Sequence, residues 1–304
     1  MVSAAFPARA QTDEQIISLV KQAIASSKSN DFRSAIDTYK KALAMSEARH
    51  GPVHPFIAGC LAGLADNYTE TGQYERAIDC LKRSLAQSQQ TLGEADHRNA
   101  MIFSFLSDSY QNIGAYDDAI SSAKKGLELL ISNEKQDHVS LPALLTRLAN
   151  CYVIKSDYQN AESVIDKLLE LDPRSTSAFT LLGSLRFSQG RVNEAKEAFE
   201  KSISLANEKK LDAFYKKNAW IHLANAEVAL ENYDDALALL AKSRKEALST
   251  LGPDHPDMGR LLCDLAEVHS NLGITLKELG RLEDAFSAVI KSIRIKPTVD
   301  AKNL

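Results

Sequence analysis

Two histidines four residues apart, His50 and His54, are the first candidates for chemistry in this chain. That spacing can hold a metal ion against one face of a helix. Pro55 follows His54 directly, however, and the pair straddles a turn-rich stretch, Gly51-Pro52-Val53-His54-Pro55. Capping of a helix start is the expected role, and no metal is assigned. The four cysteines, Cys60, Cys80, Cys151 and Cys263, form no C-x-x-C pair, so zinc and dithiol chemistry have no support. Small core residues are expected, with a Cys60–Cys80 disulfide as the alternative. Lys209, Lys210, Lys216 and Lys217 make a basic cluster with little aromatic interleaving. It reads as a solvated helical face, with no nucleic acid as partner. There is no phosphate-binding glycine loop, no nucleophile elbow and no His-Glu-x-x-His pair. No catalytic residue and no cofactor are therefore assigned.

What positions the remaining polar residues is a repeat. An alanine recurs at Ala35, Ala77, Ala119, Ala161, Ala195, Ala236 and Ala285, at intervals of 42, 42, 42, 34, 41 and 49 residues. Taking that alanine as position 20 of each unit, position 8 is always small: Ala23, Ala65, Ser107, Ala149, Gly183, Ala224 and Gly273. Position 7 is leucine in all units but the first. Position 11 is read as aromatic in Tyr68, Tyr110, Tyr152 and Phe187, with Leu276 in the last unit and Ser26 and Glu227 as exceptions, and position 17 is aromatic in Phe32, Tyr74, Tyr116, Tyr158 and Tyr233. This is helical periodicity with one break. The break holds Gly72, Gly114, Gly190 and Gly280, with Asn30, Ser156 and Glu231 in the other units. Each unit is thus helix A, a tight turn and helix B, with small residues where the two backbones approach.

Pro55, Pro142 and Pro256 fall in first turns of helices A, and Pro173 and Pro297 just past helices B, where proline is tolerated. The expected units are 14–49, 54–91, 97–132, 138–173, 176–208, 214–249 and 256–298, with a tail at 299–304. The last interval of 49 residues predicts a long helix A over 256–279. No separate helix caps the C-terminal end, where Phe286, Val289 and Ile293 are candidates for an uncovered side.

The composition, 44% hydrophobic and 25% charged with a net charge of −4 and pI near 6, fits a folded chain with no general attraction for nucleic acid or anionic lipid. No apolar run reaches the length of a membrane span, so membrane insertion is not expected. Ala8-Arg9-Ala10 has the small-x-small form of a secretory cleavage site, without a basic n-region. Two readings stand: a truncated signal peptide of an exported or periplasmic protein, or a disordered terminus over 1–13 of a cytoplasmic one.

The pattern resembles the tetratricopeptide repeat (TPR) over about residues 14–298. The 42-residue intervals exceed the usual repeat of about 34 by roughly one extra turn on each helix. Gly51-Pro52-Val53-His54-Pro55 and Gly252-Pro253-Asp254-His255-Pro256 are similar to the linkers of kinesin-light-chain-type repeats, which also occur in bacterial proteins. The resemblance implies an all-α, right-handed superhelix of about seven helix-turn-helix units. It implies a concave groove lined by helix A positions 2, 5, 9, 12 and 13. In this chain those positions and their neighbours supply Asp66, Ser104, Asp108, Gln111, Thr146, Arg147, Asn150, Thr180, Ser184 and Asn225. Short polar side chains can hydrogen-bond an extended peptide, and Asp66 with Asp108 would favour a Lys- or Arg-bearing one. Solvated polar residues of no function are the alternative. No position 5 is basic, so the lysine clamp of chaperone-tail receptors is not matched, and the asparagine-rich groove of kinesin light chains is matched only at Asn271. The expected function is a non-catalytic scaffold or adaptor that binds a peptide or protein segment. The second expectation is a structural component that self-associates or docks through its C-terminal helix.

Overall fold

The computed structural model describes residues 5–132, 140–211 and 213–251, and the separate positions 268, 270, 273, 274, 277 and 280. Among these residues are twelve α-helices and no strand. They are α1 (Ala5–Lys28), α2 (Phe32–His50), α3 (Pro55–Glu70), α4 (Tyr74–Leu92), α5 (Asn99–Asn112), α6 (Tyr116–Ser132), α7 (Ser140–Ile154), α8 (Tyr158–Leu171), α9 (Thr176–Ser188), α10 (Val192–Glu208), α11 (Ala213–Ala229) and α12 (Tyr233–Leu251). The fold is all-α and built of helical hairpins. Two compact units divide it, Met1–Cys151 and Tyr152–Leu304.

Three residues join the helices of every hairpin, and their backbone explains the break in periodicity. The middle residue is left-handed in all six turns, with φ of 62° at Asn30, 73° at Gly72, 75° at Gly114, 58° at Ser156, 76° at Gly190 and 63° at Glu231. The next N–H reaches back to the carbonyl of position 11, at 2.8–2.9 Å in each turn: Asp31 to Ser26, Gln73 to Tyr68, Ala115 to Tyr110, Asp157 to Tyr152, Arg191 to Arg186 and Asn232 to Glu227. This six-to-one bond is the Schellman closure of a helix end. Asp31 and Asp157 then cap the following helix, accepting from the N–H of Ser34 and Asn160. Position 17 is the first residue of helix B throughout.

Burial explains the recurring alanine. Ala35, Ala77, Ala119, Ala161, Ala195 and Ala236 have no exposed surface. At position 8 of the fifth unit, Gly183 is pressed against Phe199 of α10, so that a methyl there would sit 2.4 Å from the ring. In the first unit of the fold one apolar core runs from Ala23 through Leu61, Leu64, Tyr68 and Leu81 to Leu106, threading α1 to α5. In the second, Ala195, Phe199, Leu223 and Ala226 form a core between α10 and α11.

Three expectations change, and the alternative of a Cys60–Cys80 disulfide falls away. The first helix starts at Ala5, so residues 5–13 are helical where one of the two readings expected a disordered terminus; Asp13 ties the helix to the end of α2 through Arg49. The extra residues of the 42-residue units go mainly to helix B. α2, α4 and α6 have 19, 19 and 17 residues against 14 in α8, whereas α3, α5 and α7 have 16, 14 and 15 against 13 in α9. The linkers between units take up the rest. Position 11 of the fifth unit is Arg186, whose carbonyl closes the turn, and Phe187 lies one residue on, at the surface. Cys60 and Cys80 are free thiols; burial pushes Cys60 up to about 11, ahead of a smaller contribution from Glu47. Val268, Ser270, Gly273, Ile274 and Lys277 are helical and Gly280 has φ 76°. The rest of the expected helix 256–279, and the C-terminal side with Phe286, Val289 and Ile293, lie outside the described residues.

Candidate functional site

Exposed and half-buried residues along the helices A of the first unit include a set at 4-3-4 spacing, which keeps residues on one side of a helix. The face consists of positions 2, 6, 9 and 13. On α1 it is Ile17, Lys21, Ile24 and Lys28, and on α3 Gly59, Gly63, Asp66 and Glu70. On α5 it is Met101, Phe105, Asp108 and Asn112, and on α7 Ala143, Arg147 and Asn150. Ser104, at position 5, is buried and off this face. Position 5 points one step further toward the packing interface than the sequence pattern suggested. Ile17, Ile24, Met101 and Phe105 are exposed apolar members that the polar reading of the groove missed. Reading position 6 in every unit was the signal available.

The polar residues of α5 and α7 form one lattice. Asp108 lies 3.2 Å from the Arg147 guanidinium. The Gln111 amide donates to the Arg147 carbonyl at 3.2 Å, and Asn150 donates to Gln111 Oε1 at 3.0 Å. Asn112 donates to the Asp108 carbonyl at 2.9 Å. The lattice neutralises Asp108 and fixes both amides, leaving the Asn150 oxygen as an acceptor. Asp66 differs: among the described residues it has no ion pair. Desolvation, and then Glu70 one turn on, raise its carboxyl above the usual range. The expected row of two equivalent aspartates is therefore one compensated and one uncompensated acid.

In the second unit the expected residues do other work. Thr180 bonds the Thr176 carbonyl and the buried Ser202 hydroxyl, tying α9 to α10. Ser184 donates to the Thr180 carbonyl. Asn225 is half-buried, as is Thr146 in the first unit. An open groove of about 300 Å³ lies between α9 and α10, floored by Phe179, Leu182 and Ala198 and rimmed by Arg186, Glu194, Glu197 and Lys201. Its rim charges alternate, and Arg186 is already bound at 2.6 Å to Glu162.

His54 caps α3: its Nδ1 accepts from the Phe56 N–H at 3.2 Å, and its ring stacks on His50 at 3.9 Å. Desolvation, followed by His50, lowers its pKa. Asp13 Oδ1 stands 2.7 Å from Arg49 and 3.1 Å from His50. The lysine cluster is not a single solvated patch. Lys216 is buried against Glu246, Asn207 and the Trp220 ring, and Lys209 donates to the Arg174 carbonyl. Among the described residues no helix is long and apolar enough to cross a membrane.

A family model described as tetratricopeptide repeat matches residues 14–90, 57–132 and 217–298. Another, for anaphase-promoting complex, cyclosome, subunit 3, matches residues 154–243. A tetratricopeptide repeat protein from Parabacteroides merdae is similar at 17% identity and a TM-score of 0.58, over 92% of this chain and 99% of that one. Aspartyl phosphate phosphatase F from Bacillus subtilis is similar at 15% identity and 0.71, over 96% and 73%. A Rap protein in complex with Competence and Sporulation Factor is similar at 18% identity and 0.63, over 91% and 74%. At these identities the likeness is one of fold.

Proposed function

Because the chain belongs to the tetratricopeptide repeat family, we propose that it is a non-catalytic scaffold that holds an extended segment of a partner protein against the helix A face of α1, α3, α5 and α7. The observation that carries this reading is the Asp108–Arg147–Gln111–Asn150 lattice. Its members brace one another between two helices, so their positions are fixed before any ligand arrives. Preorganised groups of this kind lose less freedom on binding than free surface side chains. A related fold is known with Competence and Sporulation Factor bound, which supports the capacity of such folds to take ligands. Specificity must come from this chain's own residues. Within the family, the two Gly-Pro-x-His-Pro linkers favour the kinesin-light-chain type of repeat, and the cap made by His54 gives one of them a physical role.

Affinity purification with mass spectrometry would name the partner. Gln111→Ala with Asn150→Ala should then lower its retention at least about tenfold, on the scale of an interface hot spot. Full retention by the folded double variant would overturn the groove reading. The C-terminal docking surface lies outside the described residues, so no observation favours that alternative.

A further inference from the structure

Arg147 stands at position 6 of α7, beside the position 9 acid of the preceding helix A, Asp108. The equivalent place beside Asp66 belongs to position 6 of α5, which is Phe105. α3 and α5 are in contact, as consecutive helices A of one array. The chain thus repeats its acid and replaces the matching cation with an aromatic ring, 37% exposed. One side of this gap is apolar. Met101, one turn before Phe105, is 52% exposed, and Ile24 is exposed on α1. Between them α3 offers Gly59, where an added methyl would meet open space, while Gly63 is already packed against the Tyr39 ring of α2.

We propose that a partner supplies the missing cation: an arginine whose guanidinium lies on the Phe105 ring and pairs with Asp66, followed or preceded by a bulky apolar side chain over Gly59. The proposal rests on the groove reading above and names its ligand. An arginine fits better than a lysine because its planar, weakly hydrated head can stack on the ring while forking to a carboxylate. Desolvation already disfavours the charged form of Asp66; an arriving cation relieves that cost. The apolar neighbour gains by covering Met101 and Ile24.

The test uses the full chain and fluorescein-labelled decapeptides that carry one Leu–Arg pair in a Gly/Ser/Thr background, read by fluorescence anisotropy. Control peptides replace Arg by Gln, Arg by Lys, or Leu by Ser. The Leu–Arg peptide should bind at least about tenfold tighter than the Gln peptide, with Lys between them, and the preference should shrink as salt rises. Phe105→Arg, which fills the gap from within, and Asp66→Asn should each abolish the Arg-over-Gln preference. Glu75→Gln on α4 should leave it intact. Phe105 and Asp66 are both exposed, so these variants keep the core, and circular dichroism verifies the fold. Equal binding of the Arg and Gln peptides, no binding by any peptide, or a preference that survives Phe105→Arg would each overturn the proposal. The groove reading is decided separately, by partner retention in the Gln111/Asn150 variant.

Discussion

Lys196 and Glu227 provide a test of how successive repeats hold register. Glu227 occupies position 11 of α11, and Lys196 follows the recurring Ala195 on α10, at position 21. They pair at 2.8 Å, with the carboxylate side chain 5% exposed and the lysine 30% exposed. Asn232 donates to the other carboxylate oxygen at 2.8 Å. Lys196→Met leaves a buried carboxylate with Asn232 as its remaining partner. The loss should be about 2 kcal/mol, between the ~0–1 kcal/mol of an exposed pair and the ~3–5 kcal/mol of a broken buried one. Glu227→Leu leaves a lysine that can reach water and should cost only about 1 kcal/mol. The double variant should be less destabilised than Lys196→Met alone, giving a coupling of about 2 kcal/mol. Urea unfolding at constant m measures each step, and hydrogen exchange of α10 and α11 localises it, since repeat arrays open unit by unit. The hydrogen bond that Lys196 donates to Glu227 raises the Lys196 pKa above its ordinary 10.5. The folded pKa exceeds the unfolded one, so this stabilisation is fully present at neutral pH. It disappears only as pH climbs past 10.5 through the raised value. Single losses that simply add, within about 0.5 kcal/mol, would refute the pairing as a source of register.

Gly183→Ala should destabilise by about 1–3 kcal/mol despite alanine's better helix propensity, because the buried Phe199 ring has no room to retreat; combining it with Phe199→Leu should recover much of the loss in the same urea titration. Glu231→Gly should stabilise by about 1 kcal/mol, since Glu231 is exposed with φ 63°, a cost glycine avoids; a lower urea midpoint would contradict this. The folded pKa of His54 is lowered by desolvation, so its contribution is complete above its unfolded value of 6.5 and lost as pH falls below that through the lowered folded value. His54→Asn keeps an N-cap acceptor and should flatten the stability profile between about pH 7.5 and 5.5; an unchanged profile would exclude His54 as its source.

Much of the fold was legible because its determinants are local. The small residues at positions 8 and 20, the aromatic at 17 and the turn residue all recur on one short phrase. The backbone answers each with burial, a helix start or a left-handed turn. Even Asn30, Ser156 and Glu231 could be placed in the turn, since position outweighed residue type. What was not legible depends on distant partners. Arg186 and Glu227 break the aromatic rule at position 11, and their partners Glu162 and Lys196 lie 24 and 31 residues away. Lys216 reads as part of a basic cluster until Glu246, 30 residues on, is seen to pair with it. Ser104 looked like groove because position 5 differs from position 6 by one residue, and one residue on a helix is about 100° of rotation. The role of Asp13 had no local mark, since Arg49 and His50 reach it from the far end of α2.

These distant partners obey two offsets, and the offsets separate structure from surface. Position 11 meets position 21 of the preceding unit. Tyr68 and Ile36, then Tyr110 and Ile78, occupy those places in the apolar core of α1 to α5. Glu162 with Arg186, and Lys196 with Glu227, occupy them as ion pairs of opposite polarity. That reversal matters: a hairpin shifted by one repeat would bring Glu162 toward Glu227, so the charges oppose the wrong register where an Ile–Tyr pair could not. Position 6 meets position 9 of the preceding unit, on the exposed face. Where the chain fills both places with matched charges, as in Asp108 and Arg147, the surface is already compensated. Where it fills one and leaves the other to Phe105, the charge at Asp66 has no answer within the described chain. On the proposal above, binding selectivity in such an array follows less from how many acidic residues line a groove than from which of these inter-repeat pairs is left incomplete.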